Sequence, residues 1–267
     1  MRYNNLYHVF ATVFDTTRNA WSAVYMNFSD FPNAASAVQV PLADKPVGDT
    51  VAPQVFYFRP QNKWYLISQW GPKYSTNTDI ANPDGWTPTK PLLTGGPANG
   101  IDYWAICDAA NCHLFFSGDD GKLYHSRTPL ANFPNFSGYE TAMSDPVAGN
   151  LFEASNVYKV EGTNTYLLLV EAYQPRYFRS WTSTSLDGPW TPLADKQSAP
   201  FAGAANVTFD GAKWSSDISH GEMIRAGYDE TLTINACNMQ YLYQGVDPSS
   251  TATYERLPYR LGLIRAR

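Results

Sequence analysis

A pair of short strands joined by a turn recurs along the chain about every 50 residues, and this repeat strongly limits the possible folds. The strands are rich in β-branched and aromatic residues, and the turns contain Gly, Asn, Asp or Gln, as in β-hairpins. The clearest pairs are residues 53–58 with 63–68, 102–107 with 112–117, and 156–160 with 165–170. A third segment with Ser or Thr follows each pair, and then a turn with a late Trp or Phe.

The repeat predicts an all-β fold, a five-bladed β-propeller, because units of this length with three or four strands are typical of propeller blades. An irregular β-sandwich is the alternative, but it would not explain why the same order of strand, turn, strand and Trp recurs. The second strand of the first blade already begins near Tyr7. We therefore expect the inner strand of that blade to be missing or to be supplied by other residues, and residues 1–267 to form a single domain.

Composition excludes several classes of partner. The net charge is −5 and the basic residues form no stripe, which argues against nucleic acid. No apolar run approaches the roughly 20 residues that span a bilayer, so no membrane partner is expected. Three cysteines allow at most one disulfide, and the sequence leaves open which two would pair.

Two acidic residues stand where the inner strands of two blades begin. Asp102 opens the predicted inner strand of the third blade, and Glu153 opens that of the fourth. In a propeller these positions point into a shared pocket, and two converging carboxylates are what glycoside hydrolysis requires. An acidic residue at the start of a strand is more often a solvated turn residue.

Several long segments, in order and spanning the chain, resemble those of glycoside hydrolase family 62, the α-L-arabinofuranosidases. The segment 151–159 resembles the strand of the family's general acid, and 101–108 resembles the strand of its second acidic residue. Further matching segments are 52–58, 177–183, 217–225 and 256–263.

The resemblance implies an inverting hydrolase that removes single arabinofuranosyl branches from arabinoxylan, or from arabinan. Glu153 would be the general acid, and Asp102 would orient the sugar and support the acid. The family's general base opens the inner strand of the first blade, a position that would fall before Met1. The resemblance therefore implies an N-terminally truncated member whose activity is impaired. It also implies an extracellular protein, and we expect a monomer.

The resemblance suggests a role for His220, and the chemistry of the guanidinium suggests two for Arg225. His220 would line the central channel and contact a structural calcium ion, although a lone histidine is usually structural and calcium prefers oxygen ligands. No cofactor would be needed for the chemistry. Arg225 could bind sugar hydroxyls or form a structural salt bridge with a carboxylate.

Aromatic and amide side chains suggest where a sugar would bind. Gln69 and Trp70 follow the second strand of the second blade. An amide and an indole there would suit a furanose ring, since the amide can bond hydroxyls and the indole can cover ring carbons. Trp70 could instead cover a blade edge. Tyr254 resembles a tyrosine of the family's substrate groove, but Glu255 stands where the family usually has Asn. A non-catalytic carbohydrate-binding propeller remains the alternative function; it has no need of two buried acidic residues.

Overall fold

The computed structural model describes residues 1–266, which form β-strands joined by turns and short 3-10 helices, with no α-helix among them. The strands, in chain order, are β1 (Arg2–Tyr3), β2 (Leu6–Asp15), β3 (Ala20–Phe28), β4 (Val40–Pro41), β5 (Gln54–Phe58), β6 (Lys63–Ser68), β7 (Lys73–Asn77), β8 (Lys90–Pro91), β9 (Leu93–Thr94), β10 (Ile101–Cys107), β11 (Asn111–Ser117), β12 (Lys122–Pro129), β13 (Phe136–Ser137), β14 (Glu140–Ser144), β15 (Glu153–Val160), β16 (Tyr166–Ala172), β17 (Tyr177–Ser183), β18 (Thr191–Lys196), β19 (Ala199–Pro200), β20 (Ser219–Met223), β21 (Thr233–Ile234), β22 (Gln240–Gly245) and β23 (Arg260–Arg265). The 3-10 helices are Phe31–Ser36, Arg59–Gln61, Pro83–Gly85, Leu130–Asn132, Ala148–Asn150, Ala236–Asn238 and Tyr254–Arg256.

Five sheets account for most of the strands, and they confirm the predicted fold class, a five-bladed β-propeller. Their strand orders are β1-β2-β3-β4, β5-β6-β7-β8, β10-β11-β12-β14, β19-β18-β17-β16-β15-β21 and β20-β22-β23. The short strands β9 and β13 form a separate parallel pair. Most neighbours within these sheets are consecutive antiparallel strands, as the strand–turn–strand repeat predicts, because short turns can join only antiparallel neighbours. The pairs β12-β14, β15-β21 and β20-β22 are not consecutive in the chain.

The first sheet carries β1 at the edge where the sequence predicts a missing inner strand. This strand is two residues long and pairs Arg2 with Tyr7 and Tyr3 with Leu6. Met1 extends the pairing, since His8 N–H donates to its carbonyl (2.9 Å) and its amino group donates to the His8 carbonyl (3.2 Å). The edge is thus paired over a shorter length than in the second sheet, where β5 pairs over five residues.

The chain divides into two compact units. The first comprises Met1–Leu114, His125–Glu140 and Arg225–Thr233, and the second comprises Phe115–Tyr124, Thr141–Ile224 and Ile234–Arg267. A buried cluster in the first unit contains Tyr25, Trp64 and Trp86 together with smaller apolar side chains. In the second unit, the buried rings of Phe178 and Tyr241 meet edge to face.

Buried polar side chains connect strands that belong to different sheets of the first unit. The amide of Gln54 on β5 bonds both backbone groups of Ala105 on β10, each at 2.8 Å. Since unpaired buried backbone groups are costly, this double bond helps to hold β10 in place. Asp102, at the start of the same strand, is positioned by this arrangement.

No helix among residues 1–266 is both long and apolar enough to cross a membrane.

One disulfide settles the pairing that the sequence leaves open. Cys107 at the end of β10 is bonded to Cys112 at the start of β11, and Cys237 is a free, exposed thiol. The turn between the bridged residues is closed by Asp108, whose Oδ1 accepts from the N–H groups of Ala110 and Asn111, each at 2.7 Å.

We predict that iodoacetamide labels one thiol per unreduced chain and three after reduction in denaturant. The Cys237→Ser variant should label at none of its cysteines before reduction. Replacing both Cys107 and Cys112 by Ala should lower the free energy of unfolding by about 2 kcal/mol, because the bridge closes only a short loop. Three labelled thiols in the unreduced wild-type chain would contradict this pairing.

Candidate active site

Glu153 is the first residue of β15, and an irregularity in the strand directs its side chain. The residue lies opposite Glu171 on β16, after which the register shifts before Asn156 pairs with Leu169. Ala154 adopts a positive φ of 55° within this bulge. A non-glycine residue in that region is strained by about 1–3 kcal/mol, and such strain with a bulge is common where a side chain must be re-aimed at a functional site.

Arg176 links two carboxylates of the second unit. Its Nη1 contacts Oε1 of Glu153 and also Oε1 of Glu171, the latter at 2.5 Å. The guanidinium lies 5.5 Å from the ring centre of Phe152 and 5.2 Å from that of Tyr173. The guanidinium is therefore stabilised by cation–π attraction to these two rings as well as by its ion pairs with the two carboxylates.

Glu171 is fully buried, and other groups of the second unit satisfy its oxygens. Ser219 Oγ lies 2.9 and 3.1 Å from the two carboxylate oxygens, and the His220 N–H donates to Oε2 at 2.8 Å. Burial raises the pKa of Glu171, while the positive charge of Arg176 acts to lower it. Burial acts to lower the pKa of Arg176, because it disfavours the charged guanidinium. The carboxylates of Glu171 and Glu153 outweigh this effect, so the pKa of Arg176 is raised.

His220 lies beside the same pair of carboxylates. Its Nδ1 is 3.9 Å from Glu153 Oε1 and 3.9 Å from Glu171 Oε2, and its side chain is 31% exposed. One ligand atom from each of these three residues lies within 4.8 Å of the others, so they form a possible cation-binding group. Both carboxylates, however, already contact the guanidinium of Arg176, which supplies a positive charge between them.

Asp102 belongs to the first unit and also has a strained backbone. It is buried, with a positive φ of 54°. Its backbone N–H donates to Oε1 of Gln69 at 2.7 Å. The sequence suggests Gln69 as a sugar ligand, and this stays a prediction; in the structure its amide oxygen bonds the backbone of Asp102.

The three remaining predicted substrate residues differ in exposure. Trp70 is 51% exposed and has a positive φ of 67°, and Tyr254 is 60% exposed within the 3-10 helix Tyr254–Arg256. Arg225 is instead buried, and its Nη2 donates to the Val55 carbonyl at 2.7 Å. Sugar contact by each of the three stays a prediction.

Sequence reasoning missed Glu171 and Arg176. Glu171 is the one acidic residue in the otherwise uncharged strand Tyr166–Ala172, every residue of which is buried. A carboxylate in such a strand is almost never left without a partner, and this signal could have indicated a buried cation nearby. The sequence does not show that Arg176 is that cation, because nearby Arg179 is an equal candidate on spacing alone.

The five-bladed propeller, with an acidic side chain re-aimed at the start of an inner strand, is an architecture suited to glycoside hydrolysis. The sequence profile of glycosyl hydrolase family 62 matches residues 1–265, and the chain belongs to this family. The chain is 54% identical over 273 residues to alpha-L-arabinofuranosidase C of Cellvibrio japonicus. All of the chain is covered, but it spans only 43% of that relative.

Two solved structures of family members are similar over nearly the whole chain. The catalytic domain of an alpha-L-arabinofuranosidase of Coprinopsis cinerea matches with a TM-score of 0.95 at 48% identity, covering 99% of this chain and 88% of that one. An alpha-L-arabinofuranosidase of Podospora anserina, in complex with cellotriose, matches with a TM-score of 0.92 at 44% identity, covering 98% and 87%.

We predict that Arg176→Ala lowers the free energy of unfolding by about 3–5 kcal/mol, because it leaves a buried carboxylate without its cation. Lys45→Ala, which removes the partner of the mostly exposed Asp84 carboxylate, serves as the control and should cost less than about 1 kcal/mol. Urea unfolding followed by tryptophan fluorescence measures both. Equal losses in the two variants would show that Arg176 is not needed to neutralise Glu171.

We also predict that Glu171→Gln changes how stability depends on pH. Because burial raises the pKa of Glu171 from its usual 4.5, its contribution to stability is present below that pH and is lost as pH rises through the folded-state pKa. The variant lacks this loss, so its stability relative to the wild type should improve as pH rises above the usual glutamate pKa of 4.5.

Urea unfolding at several pH values measures this difference. The exposed Glu161→Gln variant is the control, and its difference from the wild type should stay nearly constant with pH. A constant difference for Glu171→Gln as well would contradict the raised pKa.

Proposed function

We propose that this chain is an α-L-arabinofuranosidase that removes arabinofuranosyl branches from arabinoxylan, with residues 1–267 acting as one catalytic domain. The observation that carries the proposal is the position of Glu153 at the start of β15, where a bulge directs its side chain, in a chain of this family. The arabinofuranosidase names of its relatives support the reaction.

Glu153 is the proposed general acid. It would give its proton to the oxygen that joins arabinose to xylose as the bond from that oxygen to the anomeric carbon breaks. As that bond breaks, water would bond to the anomeric carbon from the opposite face, so that the configuration is inverted, and the water would release a proton to a general base or to solvent. Asp102, whose backbone is held by Gln69, would orient the arabinose ring.

The polysaccharide would be held by exposed aromatic side chains. Trp70 and Tyr254 present the apolar ring faces that pair with sugar carbons. The Podospora relative was crystallised with cellotriose, a short β-linked chain, which supports a linear polysaccharide as the ligand of this chain. Arg225 is buried and bonds the Val55 carbonyl, so sugar contact by its guanidinium would need the loss of part of that burial. We further propose an extracellular monomer.

A calcium ion bound directly by Glu153, Glu171 and His220 does not fit this donor set. Calcium takes six to eight oxygen ligands, and here both carboxylates are already engaged by the Arg176 guanidinium. The proposed contact of His220 with calcium therefore involves its imidazole alone, with other ligands completing the shell. No step of the proposed reaction passes through a metal.

The test compares wild type and Glu153→Gln on two substrates. On arabinoxylan, kcat/KM for arabinose release should fall by about 10²–10⁴-fold, because the xylose oxygen leaves poorly without a proton. On 4-nitrophenyl α-L-arabinofuranoside the loss should be much smaller, since nitrophenolate leaves without protonation. Glu161→Gln, an exposed glutamate of the same unit, is the matched control and should retain both activities.

Two outcomes would contradict the proposal. Equal losses of Glu153→Gln on both substrates would exclude it as the general acid. No arabinose release by a wild-type chain that still binds arabinoxylan would favour the carbohydrate-binding alternative.

A further inference from the structure

Two buried histidines of the first unit face each other away from the proposed catalytic residues. His113 on β11 and His125 on β12 are both almost fully buried. Nδ1 of His113 lies 2.9 Å from Nε2 of His125, and the two ring planes are inclined by only 14°. The reaction proposed above uses neither residue.

A carboxylate lies next to the outer nitrogen of each ring. Oε1 of Glu140 is 3.2 Å from Nδ1 of His125, and Oδ2 of Asp108 is 3.5 Å from Nε2 of His113. The four side chains thus form a row: carboxylate, imidazole, imidazole, carboxylate. All four belong to the same compact unit.

The two carboxylates favour one arrangement of protons on the rings. A carboxylate accepts hydrogen bonds, so Glu140 favours a proton on Nδ1 of His125. The negative charge of Asp108, 3.5 Å away, favours a proton on Nε2 of His113. If both outer nitrogens are protonated, the two neutral rings turn unprotonated inner nitrogens towards each other. Two lone pairs 2.9 Å apart repel each other, and a positive charge between them removes that repulsion.

The same arrangement is found around many metal-bound histidines. A ligating histidine usually donates its other N–H to a carboxylate, which orients the ring and makes the ligating nitrogen more basic. Zinc binds histidine nitrogen at about 2.0–2.1 Å, so two nitrogens on one ion lie about 3.3 Å apart in tetrahedral geometry. The observed 2.9 Å needs only a small opening of the pair to reach that value.

We propose that His113 and His125 form a binding site for a divalent transition metal of the zinc type, with Asp108 and Glu140 orienting the two rings. Imidazole suits zinc, copper and nickel better than calcium or magnesium, which prefer oxygen. The Glu140 side chain is 73% exposed, so one end of the row reaches solvent. The site does not depend on the proposed hydrolase activity.

Isothermal titration of chelator-treated protein with zinc chloride tests this site. The experiment uses the Cys237→Ser background, because the exposed thiol could bind zinc by itself. We expect one zinc ion per chain and an increase in Tm on binding. His125→Gln and His113→Asn should each weaken zinc binding at least tenfold, and Glu140→Gln should weaken it by about 10–100-fold.

His220→Gln is the matched control, since that histidine belongs to the other possible cation-binding group. Its zinc affinity should equal that of the Cys237→Ser background. If the His113→Asn and His125→Gln variants fail to fold, two measurements still test the site. These are the zinc affinity of Glu140→Gln and the absorption spectrum of the Cys237→Ser protein loaded with cobalt. A tetrahedral cobalt spectrum with nitrogen ligands would support it.

Absence of stoichiometric zinc binding would overturn the proposal and would leave a single shared proton between the rings. Zinc binding that His220→Gln abolishes, but Glu140→Gln and the two buried-histidine variants do not change, would also overturn it.

Discussion

The burial of Glu171 is the constraint on which the arrangement of the candidate site depends. A carboxylate removed from water needs an opposite charge and hydrogen-bond donors, or it loses its charge. Here Arg176 supplies the charge, while Ser219 and the backbone of His220 supply donors from β20. Since Arg176 also contacts Glu153, the same requirement restricts the position of the proposed general acid.

Backbone strain and side-chain bonding act together at both acidic positions. Glu153 precedes the positive φ of Ala154, and Asp102 itself has a positive φ. Such conformations persist only where surrounding contacts hold them. The contact between Arg176 and Glu153 provides this in the second unit, and the bond from Asp102 to Gln69 provides it in the first. The two acidic residues are therefore positioned by polar partners outside their own strands.

Membership of glycosyl hydrolase family 62 is consistent with each of these features, but it does not explain all of them. The histidine pair of β11 and β12 has no part in the proposed hydrolysis, although it too combines buried charge-bearing groups with carboxylates. Two clusters, Arg176 with Glu153 and Glu171, and His113 with His125 and their carboxylates, place polar groups that are costly to bury next to one another. Each group thereby gains a hydrogen-bond or ion-pair partner. The clusters differ in their positive charge: an arginine supplies it in the first, and a bound ion is proposed to supply it in the second.

The sequence by itself determined the all-β class, the blade repeat, the family and the strands that carry Asp102 and Glu153. These rest on local patterns: alternation within strands, turn residues between them, and long matching segments. Only the tertiary structure decided that Cys107 pairs with Cys112, that Gln69 holds Asp102, and that Arg176 joins Glu153 to Glu171. The physical reason is that strand periodicity tells which face a side chain takes but not which distant side chain it meets. Those partners are chosen by how neighbouring hairpins and loops pack, and by the need to satisfy every buried charge.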